Sequence, residues 1–219
     1  MNGTLQACAA RRGCERGFTL VEMLVVAGLI LALTAAAGTA FWRPAEAVGM
    51  ESSQGTLAAL IESTRGRAVL TQQNARLVIA CDPASPDRHL RLLQVVHQDP
   101  ADSGNWLSSG GGEVRLPEGV RVVPPSASAV PGNASWPAAR RSTALATTAQ
   151  AMRIDGAAAG AFYWIQFTAR GTTSAGMVLL SPCRIDAGPV LVLDNPDNLR
   201  GVVLRSSGGL TLINDSSPF

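Results

Sequence analysis

The residues of this chain that could do chemistry are few, and their spacing argues against most reactions. His89 and His97 are its two histidines, eight residues apart. Neither H-x-x-x-H nor H-E-x-x-H is present, so no helix face offers two imidazoles to a metal. Asp82, Asp87, Asp99 and Asp102 lie in turn-rich stretches, where aspartate bonds backbone amides. No D-x-[DN]-x-[DN]-G loop gathers them around calcium. The chain has no G-x-S-x-G elbow and no lysine, which removes the usual nucleophile and amine-base arrangements. Its four cysteines, Cys8, Cys14, Cys81 and Cys183, form no C-x-x-C pair. In an oxidising compartment Cys81 and Cys183 could join as a disulfide; otherwise they are two buried thiols. The expectation is a protein that is not an enzyme, with no cofactor and no metal site.

One carboxylate remains without an ordinary reason to be where it is. Glu22 lies in "GFTLVEMLVVAGLILALTAAAGTAFW", just before twenty uncharged residues, Met23 to Trp42. As a helix those residues span roughly 30 Å, the thickness of a bilayer's hydrocarbon. A carboxylate in that setting costs several kcal/mol unless it is neutralised or paired. Arg11, Arg12 and Arg16 precede the run, and Arg43 and Glu46 follow it, so the short leader stays cytoplasmic and the bulk of the chain is exported. A cleaved secretory signal has the same outline, but gives Glu22 no role.

The elements that must position these residues follow from periodicity. Arg43-Pro44 predicts a kink or interruption of the helix. Helical character resumes over Gly49 to Ala75, with Leu57, Leu60, Ile61, Thr64 and Ala68 on one stripe that needs a cover. Strands are expected within Ala75–Asp82, His89–Asp99, Glu113–Pro125, Ala161–Pro182, Pro189–Asp194 and Arg200–Asp215, with a turn at Ser206 to Gly209. Ala101 to Glu113 is expected to be a Gly/Ser loop presenting Trp106. Ser126 to Gly160 is expected to be a mobile insertion or weak hairpin. Phe162, Tyr163 and Trp164 are expected in core or edge packing. The formal net charge of +2 gives no general footprint for nucleic acid.

"RGFTLVEML", Arg16 to Leu24, resembles the cleavage and methylation motif of type IV pilins and type II secretion pseudopilins. That resemblance implies cutting between Gly17 and Phe18 by a prepilin peptidase, and N-methylation of the new terminus at Phe18. It also implies that Glu22 meets the Phe18 amine of a neighbouring subunit during filament assembly. "LAALIESTRGRAVLTQQNARLVI" (Leu57 to Ile79), "EVRLPEGVRVVPP" (Glu113 to Pro125) and "IQFTARGTTSAG" (Ile165 to Gly176) are similar to segments of the GspH and FimT-like minor members.

The fold implied is α+β: a long N-terminal transmembrane and stem helix packed on an antiparallel β-sheet domain, pilin-like. The implied organisation is a cleaved leader at 1–17, a membrane and filament-core segment at 18–42, an amphipathic stem at 43–75, and a periplasmic β-rich domain at 76–219 with an insertion near 126–160. The implied function is that of a minor pseudopilin of a type II secretion system, anchored once in the inner membrane before entering the pseudopilus. Its partners would be the peptidase/methyltransferase, other major and minor (pseudo)pilins, the inner-membrane assembly platform and, before assembly, the lipid bilayer. The alternative is a minor pilin of a type IV pilus that binds a surface or takes up DNA. Arg200 and Arg205 are then the local candidates for nucleic-acid contact, although Asp194, Asp197 and Asp215 lie among them.

Overall fold

The structure is a computed structural model that describes residues 19–125, 140–185, 191–193 and 197–214, without the side chains of 35–48, 185 and 191. The chain divides into two compact units, Met1–Arg43 and Pro44–Phe219. One helix, α1, covers Leu20–Thr71. Its helical conformation runs through Pro44, so the break expected there is not an interruption of secondary structure. Proline removes one N–H, and the carbonyl of Ala40 loses that single donor while the ladder resumes on either side.

In the second unit α1 buries Met50, Ser53, Gln54, Leu57, Ile61, Thr64 and Ala68. Their spacing of three and four is the stripe expected from the sequence, extended about two turns toward the N-terminus. Ser53 and Thr64 are tolerated there because each hydroxyl donates to the carbonyl four residues back, Ser53 to Gly49 at 2.6 Å and Thr64 to Leu60 at 2.6 Å. The helix ends at Gln72, which takes a left-handed φ of 55° and donates its side-chain amide to the Val69 carbonyl.

Among the described residues ten strands follow: β1 Ala75–Ala80, β2 Leu92–Gln98, β3 Asn105–Arg115, β4 Val120–Val122, β5 Gln150–Ile154, β6 Ala157–Phe167, β7 Gly176–Ile185, β8 Leu191–Leu193, β9 Arg200–Leu204 and β10 Leu210–Ile213. β1, β2, β3, β5 and β6 close into a small barrel, and β10, β9, β7 and β4 form a second sheet with β8 alongside β7. The antiparallel β-sheet domain expected from the sequence is present, built from two sheets. The barrel also closes through a parallel step, with Asn105 opposite Arg153 and Trp106 opposite Ile154.

β1 shows why its sequence, "ARLVIA", lacks alternation. Ala75, Leu77 and Ile79 join the main core with α1 and both sheets, while Val78 and Ala80 join a second cluster with Leu92, Val96, Trp106, Met152, Ile154 and Phe162. A strand buried on both faces reads as a continuous apolar run. A third cluster, Val123, Leu179, Cys183, Leu193 and Leu199, includes residues of β7 and β8.

One expectation changes, and another lies partly outside the described residues. The Gly/Ser stretch at Ala101 to Glu113 is mostly strand β3, and Trp106 is buried at 6 % exposure. Its pairing with β2 jumps from Val96↔Ser108 to Gln94↔Glu113, so Ser109 to Gly112 form a bulge that keeps the loop-like composition inside a strand. In the stretch expected to be an insertion, residues 126–139 lie outside the described region, and Gln150 onward is the β5–β6 hairpin. Asp155 (φ 52°) and Gly156 (φ 80°) form its turn.

Candidate functional site

In the first unit Thr19 and Glu22 form a capping box at the start of α1. The Thr19 amide and hydroxyl donate to one Glu22 carboxylate oxygen at 2.9 and 3.0 Å, and the Glu22 amide donates to the Thr19 hydroxyl at 3.2 Å. Two amides without intrahelical acceptors are thereby satisfied, and the carboxylate sits at the positive end of the helix dipole. Beyond it Leu20, Val21, Met23, Leu24, Val25, Leu29, Ile30, Leu31 and Leu33 are all more than half exposed. Among the described residues no helix is long and apolar enough to cross a membrane. The side chains described continuously from the start of α1 end at Thr34. Gly17 and Phe18 lie outside the described residues.

The second unit keeps the remaining candidates apart. Cys81 follows β1 at the margin of the main core, beside the Tyr163 hydroxyl; burial pushes its thiol up and pushes Tyr163 up to about 12. Cys183 is buried in β7, within the third cluster, and is not bonded to Cys81. Cys81 follows the barrel strand β1, and Cys183 lies in β7 of the second sheet. Arg200 opens β9 and faces Glu51 of α1 at 4.0 Å, while Arg205 is exposed in the turn after β9. They stand at opposite ends of a strand, about 16 Å of extended chain apart. Among the described residues no group of three or more His, Cys, Asp or Glu side chains is placed to hold a metal ion.

Residues 12–38 match the family described as the prokaryotic N-terminal methylation motif. The chain carries this motif. Its described part, from Thr19 onward, holds the capping box and the exposed apolar face. No curated protein sequence matches the chain. Solved structures with similar folds include the minor pseudopilin EpsH of the Vibrio cholerae type 2 secretion system, 12 % identical over 76 % of this chain and 97 % of that one, TM-score 0.44. A second EpsH structure is 16 % identical over 76 % of this chain and 94 % of that one, TM-score 0.43. The Pseudomonas aeruginosa type IV minor pilin FimU is 14 % identical over 78 % of this chain and 92 % of that one, TM-score 0.44. At these identities and scores the likeness carries no conclusion about function.

Around the methylation motif and beyond it, the structure shows polar groups that motif reading did not single out. T-x-x-E at Thr19 to Glu22 is the capping-box signature and was legible. The Arg76 guanidinium lies between Trp106 and Trp164, 4.0 and 4.6 Å from the ring centroids, and its Nε donates to Gln166 at 2.8 Å. Burial there draws its pKa down to about 10. His89 is 4 % exposed in the turn before β2; burial, then the neighbouring Arg121, hold its pKa down to about 4.

Proposed function

We propose that this chain is a minor pseudopilin: a precursor held in the inner membrane by its N-terminal helix, processed at Gly17-Phe18, and assembled into the periplasmic pseudopilus of a type II secretion system. The observation that carries this reading is the methylation motif at the head of a helix whose apolar side chains are exposed among the described residues. Such a surface needs lipid or other helices. Met23 to Trp42 supplies the bilayer span, and the arginine leader keeps the cut on the cytoplasmic side.

In this role Glu22 receives the methylated Phe18 amine of a neighbouring subunit. The capping box holds the Glu22 carboxylate by one oxygen at the helix start, so its direction is set by the backbone. In hydrocarbon an incoming cation is strongly favoured, because the acid is otherwise costly to bury. The β-rich unit is a subunit body, and no reaction is assigned to it.

The processed protein, isolated from cells, should begin at a singly methylated Phe18 by mass spectrometry of its N-terminal peptide. Glu22→Ala should still insert in the membrane but lose most of its incorporation into fibres, measured by cross-linking to the major subunit. An unprocessed N-terminus, or normal incorporation of the variant, would overturn the assignment. Loss of protein secretion on deletion supports the secretion machine; loss of surface pili with normal secretion assigns the subunit to a type IV pilus.

A further inference from the structure

Two connections meet beside the last turns of α1. The β6–β7 connection, 168–175, and the β9–β10 connection, 205–209, are joined where the Thr173 amide donates to the Ser206 carbonyl at 3.2 Å. Each closes on itself: the Gly171 amide donates to the Thr168 carbonyl and the Gly208 amide to the Arg205 carbonyl, both at 2.8 Å. Gly171 (φ 74°) and Gly208 (φ 81°) take the left-handed backbone these turns need, and without side chains they leave room for Arg65 of α1. A methyl group at Gly171 would lie 3.3 Å from Arg65 Nε, and one at Gly208 would lie 2.9 Å from the same atom. Arg65 therefore lies against both turns.

Arg170 and Arg205 stand exposed on the two connections, next to the partly buried Arg65. Among the described residues none of the three forms an ion pair or a side-chain hydrogen bond. Neither connection contains a carboxylate, and in the last three turns of α1 the one acid is Glu62, which is exposed. The same end of α1 carries two exposed apolar side chains. Val69 is 42 % and Leu70 82 % exposed, whereas Leu57 and Ile61 of the same helix are sealed in the core. Val69 adjoins the arginines, since a methyl group at Gly171 would come within 3.0 Å of its Cγ2.

We propose that this junction docks an acidic segment of a neighbouring subunit, whose carboxylates meet Arg65, Arg170 and Arg205 while an apolar side chain of the segment covers Val69 and Leu70. That the partner is a fibre neighbour rests on the assembly reading above. Charge complementarity selects its chemistry: arginines without partners in the chain keep their planar N–H forks for carboxylates, which they bind through paired hydrogen bonds. The apolar pair selects protein over nucleic acid. Exposed leucine and valine beside arginine have the composition of an interface, an apolar centre with a polar rim. A duplex presents phosphates along its whole length, would meet three arginines only, and would leave Leu70 in water. Because the two turns are tied to each other and lie against α1, docking orders little that is not already fixed, which keeps its entropic cost low.

The test uses the full chain in detergent micelles and two fluorescein-labelled peptides, Glu-Leu-Glu-Glu-Leu-Glu and Gln-Leu-Gln-Gln-Leu-Gln, followed by fluorescence anisotropy at low ionic strength. The acidic peptide should bind saturably, and the amide peptide about tenfold more weakly or less. Arg170→Glu combined with Arg205→Glu should weaken the acidic peptide at least about tenfold, and Leu70→Ser about tenfold, with thermal melting unchanged because these side chains are exposed. Should the charge reversals disturb folding, Arg170→Gln with Arg205→Gln supplies the same comparison. Equal binding of the two peptides, acidic-peptide affinity unchanged in either variant, or a labelled DNA duplex bound more tightly than the acidic peptide would overturn the proposal. Peptide binding requires neither processing nor a fibre, so an unprocessed N-terminus removes the assembly reading alone, and absent peptide binding with Phe18 correctly processed removes this surface alone.

Discussion

Gln54 joins α1 to the far edge of the second sheet: its side-chain amide donates to the carbonyls of Gly201 and Ile213, each at 2.9 Å. At 3 % exposure it is a buried polar residue on the stripe that faces the core. One amide nitrogen thereby ties the helix to both β9 and β10. Gln54→Leu keeps the volume but strands two carbonyls, and should cost about 2–3 kcal/mol. Urea unfolding followed by tryptophan fluorescence measures it; a loss below about half a kcal/mol would mean that the two bonds do not hold the edge.

Arg76 stacks between Trp106 and Trp164, so its contribution depends on a planar cation. Arg76→Lys retains the charge and loses both the stacked plane and the Nε bond to Gln166. We expect a loss of about 1–2 kcal/mol and a changed tryptophan emission spectrum. An unchanged spectrum would show that the stack is not formed in solution.

His89 makes stability depend on pH in a predictable sense. Its folded pKa, about 4, lies below the ordinary value of 6.5, so the unfolded chain binds the extra proton first. Stability is complete above about pH 6.5 and falls as pH drops toward 4, by up to about 3 kcal/mol. His97 is lowered as well, chiefly by burial, and adds in the same direction. Asp99 and Asp155, lowered chiefly by backbone and side-chain hydrogen bonds respectively, act only at lower pH, where stability falls as they become protonated. Denaturant midpoints of wild type and His89→Gln at pH 7 and pH 5 separate the histidine contribution. The variant should lose markedly less on acidification, and equal losses would remove His89 as the cause.

Gly156 and Gly208 share a left-handed backbone near +80°, and differ in their surroundings. A methyl group at Gly156 meets nothing within 4 Å, whereas one at Gly208 would lie 2.2 Å from the Gly171 carbonyl oxygen and 2.9 Å from Arg65 Nε. Gly156→Ala should cost about 1 kcal/mol from its backbone alone. Gly208→Ala should cost about 3 kcal/mol or more, because the β9–β10 turn must move off the Gly171 backbone and Arg65 of α1. Similar losses at the two sites would show that the turn is not docked there.

The amino-acid sequence by itself determined the features that depend on neighbours along the chain. The Arg16 to Leu24 motif, the apolar run behind it and the stripe from Leu57 to Ala68 are local patterns, and a helix repeats them every three or four residues whatever it packs against. The turn at Ser206 to Gly209 was legible for the same reason: its residues set their own backbone. Asp155-Gly156 was equally legible, but a surrounding stretch rich in Ala, Ser and Thr hid it. What only the tertiary structure decided involves residues far apart in the chain. Barrel closure turned a Gly/Ser segment into β3 and buried Trp106, and the β1–β6 pairing placed Trp164 beside Arg76. The placement of β4 against the Asp87 to Arg91 turn buried Arg121 beside His89. An arginine or histidine has no periodic signature of its own, so whether it is solvated, stacked or sealed is set by which strands close over it.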